Sequence, residues 1–304
     1  MSVKQKLIKG VNKIIRKGYW FNNEFLPECN KFWYYNTFNT DVMNVGSTNA
    51  CFAFNYDGLN IKGANFALRR NPQWADLAVL KCYFSYLNPK KSTVLIPLCP
   101  FTALSALYEN VEDFHYSVLR PPVMPTFYYQ QQVRANNMRE RTFKYYTICG
   151  FLKDIKHMCF SRESKVLSEE QLLSDANSVF DSWMSEFSLR DFEAPLSGLN
   201  KDSIKEAGRL LNETIAFCKA RNIAPAIIIP PVYHTLADKF TEKGNQILFD
   251  SILNQVVDKN IPVLDYFRDK EFCEDKRLFR NSFLLNKTGA RLFTKRVLTD
   301  LNLI

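Results

Sequence analysis

A serine directly follows a glycine at the end of an apolar stretch near residue 45. Residues 44–50 read NVGSTNA, with Ser47 after Gly46. Because residues 48–54 can begin a helix, the N–H groups and positive end of that helix would face Ser47. A serine in such a strand-to-helix turn could act as a nucleophile in acyl transfer. The alternative is that Gly46 and Ser47 only make the turn and cap the helix.

The elements that would position Ser47 alternate between short apolar strands and amphipathic helices. We predict strands over residues 42–45, 59–62, 93–98, 226–229 and 262–265. We predict helices over residues 73–87, after a capping box at 203–206 and after an N-cap at Asn286. This alternation predicts an α/β fold, a flavodoxin-like three-layer α/β/α sandwich with a five-stranded parallel sheet. Ligands of such sheets bind outside the carboxyl ends of the strands.

Two segments depart from this alternation. We predict a basic amphipathic N-terminal segment over residues 1–39 and an α/β domain over residues 40–304, with a mostly helical insertion at about 100–200. Aromatic and basic residues crowd together in that insertion: Phe127, Tyr128, Tyr129, Arg134, Arg139, Arg141, Phe143, Tyr145 and Tyr146. They could line a cleft for a sugar or an anionic substrate, or they could simply pack together.

The first seventeen residues predict a basic amphipathic helix. Its basic residues are interrupted by no acid and comprise Lys4, Lys6, Lys9, Lys13, Arg16 and Lys17. Its apolar residues recur at helical spacing and comprise Val3, Leu7, Ile8, Val11, Ile14 and Ile15. Such a helix could lie on an anionic membrane surface, or it could dock on the protein with its lysines in solvent. Charges interrupt every stretch that could serve as a signal peptide, and no run approaches the roughly 20 apolar residues of a membrane span.

Composition argues against several classes of protein. The net charge of +9 is spread along the chain without a nucleic-acid reading motif, so we predict no nucleic-acid partner. The eight cysteines form no C-x-x-C pair and indicate reduced, mostly buried thiols in the cytoplasm. His115, His157 and His234 are far apart in sequence, so we predict neither a metal site nor a cofactor. Attachment to the inner face of the membrane through residues 1–17 remains an open alternative.

The order of the elements, together with three short segments, resembles the SGNH hydrolase superfamily, and its polysaccharide-associated members most. Residues 45–50, VGSTNA, resemble the block that carries the catalytic serine. Residues 61–65, IKGAN, resemble the second block, and residues 279–290 resemble the last. The resemblance implies Ser47 as nucleophile, the Gly63 amide in the oxyanion hole with Asn65 beside it, and a glycan or an acylated small molecule as ligand.

The last block departs from the family at the positions that carry chemistry. The family reads Phe-x-Asp-x-x-His-Leu-Asn-x-x-Gly-Ala, whereas residues 279–290 read FRNSFLLNKTGA. Asn281 replaces the aspartate and Leu284 replaces the histidine. A serine hydroxyl needs a base to take its proton, and leucine cannot accept one. Residues 98–102, LCPFT, also lack the asparagine of the third block.

His234 is a candidate replacement base because it lies just beyond the fourth predicted strand. The carboxyl ends of parallel strands share one edge, so His234 could approach Ser47 there. Asp265, at the end of the fifth strand, could orient such a histidine. A surface histidine and a turn-capping aspartate are the ordinary alternatives.

Two functions follow from these observations. The first is an O-acyltransferase or esterase of bacterial surface polysaccharide biosynthesis, such as capsule formation, that acts through Ser47 with help from the Gly63 amide. The second is a catalytically inactive SGNH-like domain that binds a glycan or a partner protein. Loss of both triad partners is what the second hypothesis predicts, and likeness of fold does not establish a reaction.

Overall fold

A computed structural model describes residues 3–26, 31–32, 38–108, 118–119, 133, 136–138, 140–160 and 166–304. The described residues belong to two compact units. Unit 1 combines Met1–Asn36 with Val111–Glu163, and unit 2 combines Thr37–Asn110 with Ser164–Ile304. The N-terminal segment thus shares a unit with the first part of the predicted insertion, whereas residues 164–200 belong to the α/β unit.

The strands, in chain order, are β1 (Val42–Asn44), β2 (Gly63–Asn65), β3 (Ser92–Pro97), β4 (Ile223–Ile229) and β5 (Val263–Asp265). The α-helices are α1 (Val3–Ile15), α2 (Thr48–Ala53), α3 (Gln73–Tyr83), α4 (Thr142–Tyr145), α5 (Ile148–Phe160), α6 (Glu169–Glu186), α7 (Gly198–Lys219), α8 (His234–Ala237), α9 (Glu242–Asn245), α10 (Ser251–Leu253), α11 (Lys270–Cys273) and α12 (Lys287–Asp300). Short 3-10 turns cover Phe84–Tyr86, Thr102–Leu104 and Lys276–Leu278, and π-helical turns cover Phe21–Phe25 and Gln246–Asp250.

The five strands form one parallel sheet in the order β2-β1-β3-β4-β5. All of β3 is buried, as expected for a strand covered on both faces. Helices α2 and α12 contact each other and share one hydrophobic cluster with Val42, Leu95 and Ile228. Helix α7 contacts β4 and α3. The predicted three-layer α/β/α fold with a five-stranded parallel sheet is confirmed.

The strand order reverses direction between β1 and β3. The chain moves outward from β1 to β2 and then returns to the other side of β1 to form β3. In open parallel sheets the crevice at such a reversal is the usual place for a ligand. The strand order therefore predicts a ligand-binding crevice at the carboxyl ends of β1 and β3, where the serine turn begins.

Two elements of unit 2 differ from the sequence predictions. Strand β2 begins at Gly63, because the ladder with β1 opens at Lys62, and Leu59 and Ile61 instead cover the edge of the core. Helix α7 begins at an N-cap of Ser197, so the predicted capping box at 203–206 is wrong. Ser203 is buried within α7, and its Oγ accepts the N–H of Ala106.

Helix α6 is a regular element within the segment predicted as an insertion. Ser168 and Gln171 form a reciprocal capping box at its start, which is the sequence signature of a helix N-terminus. The predicted cluster of aromatic and basic residues is only partly visible, because residues 127–129, Arg134 and Arg139 lie outside the described residues.

Unit 1 is organised around α1, α4 and α5. The amide of Asn12 on α1 donates to the carbonyl of Glu140 and accepts the N–H of Phe143. The chain after α1 is held by Asp154 of α5, which accepts the N–H of Trp20 and the hydroxyl of Tyr146. Among the helices that the structure describes, none is both long enough and apolar enough to cross a membrane.

Candidate functional site

The predicted strand-to-helix turn after β1 is present, and its backbone requires a glycine. Gly46 has a φ of +123°, and a Cβ there would lie 2.8 Å from the Cβ of Ala50. The carbonyl of Gly46 accepts the N–H of Leu68, which ties the turn to the segment after β2. Ser47 is the N-cap residue of α2 but makes no capping hydrogen bond. Its partly exposed hydroxyl has no hydrogen-bond partner within the described chain.

Gly63 lies at the amino ends of the strands, whereas Ser47 lies at their carboxyl ends. It pairs with Val42 at the start of β1, whereas Ser47 follows the end of that strand. A Cβ at residue 63 would come within 2.0 Å of the Tyr56 ring, so close packing explains this glycine. The register of β2 thus keeps the Gly63 amide away from Ser47. The prediction that this amide holds an oxyanion at Ser47 is therefore wrong.

Asn65 closes the carboxyl end of α2 rather than facing a substrate. Its Nδ2 lies within 3.2 Å of the carbonyls of Ala50, Cys51 and Phe54. Its Oδ1 accepts the amide of Asn44 at 2.9 Å and the N–H of Ala67 at 3.0 Å. Because both ends of the side chain are used internally, its geometry favours a structural role over substrate binding.

The last block folds into a turn in which Asn281 has a structural role. Its Oδ1 accepts the N–H groups of Phe283 and Leu284 at 3.1 and 2.7 Å. Asn286 then caps α12 by accepting the N–H groups of Thr288 and Gly289, as its sequence position predicted. The Leu284 side chain itself cannot accept a proton, and the carboxylate that contacts this turn, Asp175, accepts the N–H and the hydroxyl of Ser282.

His234 is engaged with carboxylates of unit 2. Its Nε2 lies 3.8 Å from a Glu169 oxygen, and its Nδ1 lies 3.7 Å from an Asp238 oxygen. In the described residues no hydrogen bond joins His234 to Ser47. Asp265 accepts the N–H of Phe267 and is exposed, so it caps a turn rather than orienting the histidine. Neither residue is hydrogen-bonded to Ser47 in the described part of the chain.

Sequence reasoning missed a group of buried polar residues behind the serine turn. The amide of Asn71 donates to Asp76 of α3 at 2.6 Å. The Asp76 carboxyl also interacts with the backbone N–H of Gly46 and lies close enough to Cys99, just after β3, to affect its titration. The Cys99 thiol in turn interacts with the N–H groups that begin α2, including that of Asn49. These residues surround the carboxyl ends of β1 and β3.

Several polar atoms in this group are buried and have no hydrogen-bond partner among the residues that the structure describes. They are the Oδ1 atoms of Asn49 and Asn71 and both polar side-chain atoms of Gln73. Asn49 is 3%, Asn71 6% and Gln73 8% exposed. Gln73 precedes Asp76 by three residues on α3, so the two side chains lie on one face of that helix. We name Asn49, Asn71, Gln73, Asp76 and Cys99 the switch-point pocket.

Burial also controls the ionisation of the pocket. It raises the pKa of Asp76 to about 8, although the Asn71 amide and the Gly46 N–H oppose that shift. It raises the pKa of the Cys99 thiol to about 12, and the neighbouring Asp76 contributes in the same direction. At neutral pH the pocket therefore contains a neutral carboxylic acid and a neutral thiol, which is no environment for nucleophilic sulfur.

Basic side chains flank α2 beside the pocket. The guanidinium groups of Arg69 and Arg280 lie 5.3 and 4.9 Å from the centre of the Phe52 ring. The backbone N–H of Arg70 donates to the Thr48 hydroxyl, one residue after Ser47. Within the described chain Arg280 forms no ion pair. This side of α2 is thus positively charged.

The cysteines are partly as predicted. Cys82, Cys99, Cys218 and Cys273 are free and buried, whereas Cys149 and Cys159 of unit 1 are free and exposed. Cys29 lies outside the described residues. Among the residues that the structure describes, no group of three or more His, Cys, Asp and Glu side chains could hold a metal ion.

No protein-family model matches the sequence, and a search among curated proteins finds no match. The resemblance to SGNH hydrolases therefore rests only on the short sequence segments described above and stays a prediction.

Proposed function

We propose that this chain is an SGNH-like domain of bacterial surface polysaccharide biosynthesis that binds a glycan without catalysing its hydrolysis. One observation supports the proposal: buried amide groups around the serine turn have unused hydrogen-bonding capacity, while among the described residues no base is hydrogen-bonded to Ser47. A buried donor or acceptor without a partner costs about 1–3 kcal/mol. Hydroxyl groups of a sugar could both donate to and accept from such amides.

The flanking arginines favour a glycan with acidic substituents. Arg280 presents a guanidinium beside Phe52, and guanidinium groups bind carboxylate and phosphate groups with two parallel hydrogen bonds. The aromatic ring beneath it holds the guanidinium over α2. We therefore expect uronate or phosphate groups on the sugar to increase affinity.

Glycan binding by purified protein, measured on an array of bacterial capsular oligosaccharides, tests this proposal. Asn71→Leu and Gln73→Leu should each lower affinity about tenfold or more, because each removes hydrogen bonds worth roughly 1.4 kcal/mol. Asn245→Leu is the matched control, since Asn245 also has a buried, unpartnered Oδ1 but lies on α9. Folded wild-type protein that binds no glycan, or pocket variants that bind as well as wild type, would contradict it.

The contribution of the arginines is measured separately. Arg280→Gln should weaken binding of acidic but not neutral oligosaccharides. Arg221→Gln is the control, because Arg221 also stacks on a phenylalanine, Phe217, but precedes β4 at the amino edge of the sheet. Equal losses in both variants would exclude a specific acid-binding role.

An acyltransferase or esterase that acts through Ser47 is the second candidate. The observation that favours it is the unengaged, partly exposed hydroxyl at the N-cap of α2. A fluorophosphonate probe should label Ser47 if the enzyme is active, and Ser47→Ala should abolish that labelling. Under the binding proposal no labelling occurs at any pH, and Ser47→Ala retains glycan affinity.

We also propose a cytoplasmic location for the chain. Free thiols support it, since exposed cysteines such as Cys149 and Cys159 persist in a reducing compartment. A membrane-impermeant maleimide should label these two cysteines only after cells are lysed. Labelling in intact cells would place unit 1 outside.

A further inference from the structure

Helix α1 of unit 1 buries one face and leaves an apolar stripe in solvent. Asn12 and Ile15 are buried, and Asn12 is bonded to residues 140 and 143. Four apolar residues on another face are exposed: Val3 is 78%, Leu7 67%, Val11 40% and Ile14 74% exposed. Contacts with the described residues of unit 1 therefore do not account for these four apolar side chains.

Lysines accompany this stripe. Lys6, Lys9 and Lys13 are exposed on α1, and the helix contains no acidic residue. No ion pair involves these lysines in the part of the chain described. At 100° per residue they lie along one side of the stripe formed by Leu7 and Ile14. An apolar stripe bordered by unpaired lysines is the pattern of a helix that lies on anionic lipid.

Helix α5 of the same unit repeats this pattern. Ile148 is 78%, Phe151 51%, Leu152 56% and Met158 74% exposed. Its one acidic residue, Asp154, is buried and bonded to Trp20 and Tyr146, so no carboxylate of the helix faces solvent. The helix therefore also combines exposed apolar side chains with a basic one, Lys156, whereas its other lysine, Lys153, pairs with Glu24.

We propose that unit 1 binds the surface of an anionic lipid bilayer through the exposed faces of α1 and α5. Apolar side chains on both helices would enter the boundary between head groups and acyl chains, while the lysines would contact the phosphates. A second copy of the chain fits less well, because it would bring two lysine-bordered faces of equal charge together. The inference concerns unit 1 and is independent of the glycan proposal for unit 2.

Cosedimentation of the full-length chain with vesicles tests this inference. We expect binding to vesicles of equal parts phosphatidylglycerol and phosphatidylcholine, weak binding to phosphatidylcholine alone, and loss of binding at high salt. The double variants Leu7→Gln/Ile14→Gln and Phe151→Gln/Met158→Gln should each reduce partitioning about tenfold or more, since each removes two exposed apolar side chains.

The control is Leu199→Gln/Val257→Gln in unit 2, whose side chains are 69% and 82% exposed. It should partition like wild type. Unchanged partitioning of either unit 1 double variant, with circular dichroism as for wild type, would overturn the assignment of that helix. Dimerisation without vesicles that the same variants abolish, seen by analytical ultracentrifugation, would instead assign the faces to a contact between copies.

Discussion

The two halves of the sheet's carboxyl edge differ in how their polar groups are satisfied. Around β1 and β3, the switch-point pocket contains buried side-chain atoms of Asn49, Asn71 and Gln73 that have no hydrogen-bond partner among the described residues, and a carboxyl group held neutral. Around β4 and β5, the Glu169 carboxylate accepts the Tyr233 hydroxyl and pairs with Lys276, and Asn281 and Asn286 are bonded to backbone. The first region therefore has unused hydrogen-bonding capacity, on which the proposed ligand site rests, whereas the polar groups named in the second are bonded within the chain.

Asp76→Asn provides the largest expected contrast between these regions. The folded-state pKa of Asp76 is raised, so the folded protein retains a proton that the unfolded chain loses, and this group makes stability fall as pH rises from about 4 to about 8. The difference in free energy of unfolding between Asp76→Asn and wild type should therefore shift in favour of the variant by a few kcal/mol between pH 4.5 and pH 8. Urea unfolding of both proteins across this range measures the change.

Glu169, on the β4 side, should affect the pH dependence of stability in the opposite direction, and Glu169→Gln tests this. The Tyr233 hydroxyl, and then Lys276, lower the pKa of Glu169, so its contribution is present at neutral pH and is lost as pH falls through the acid range. Its side chain is 54% exposed, so the loss in the variant should stay below about 1 kcal/mol at pH 7. Parallel pH profiles for the two variants would contradict the proposed difference between the regions.

Gln73→Leu should stabilise the protein while removing ligand affinity. Both polar atoms of Gln73 are buried without partners, so an apolar side chain of similar size should raise the free energy of unfolding by about 1 kcal/mol. Asn200 is the control because its buried Nδ2 donates to the carbonyl of Phe187. Asn200→Leu should lower stability by about 1–3 kcal/mol. Thermal and urea unfolding would distinguish the signs, and a destabilised Gln73→Leu would mean that the amide is satisfied in solution.

Strands β3 and β4 were predictable from sequence because each contains a continuous apolar run. Segments such as residues 93–98 can be buried on both faces only in a covered parallel sheet. The cap at Asn286 was predictable for a local reason, since an Asn side chain can accept the first N–H groups of the helix that follows. Both features depend on residues near one another in the chain.

The pocket and the position of Gly63 depend on contacts distant in sequence. Gln73 and Asp76 stand in the first turn of α3, where polar residues are ordinary, and only the packing of that helix behind Gly46 buries them. Leu59 and Ile61 alternate with polar residues before Gly63, as in a strand, but the register with β1 starts the strand at Gly63 and so places this residue at the amino ends of the strands. A usable signal was the polar series Asn71, Gln73 and Asp76 at the start of an otherwise apolar helix.

Ser47→Ala and His234→Ala should have the smallest effects on stability, each within about 0.5 kcal/mol of wild type. Ser47 makes no capping bond, and His234 is a partly exposed side chain whose carboxylate neighbours are themselves exposed. Asn286→Ala is the contrasting cap, since that side chain accepts two N–H groups and should cost about 1–2 kcal/mol. If urea unfolding gave Ser47→Ala a loss as large as that of Asn286→Ala, the Ser47 hydroxyl would have a partner in solution. The Ser47 hydroxyl would then not be free for a ligand, whereas the proposed role of the pocket would still rest on its buried amide groups.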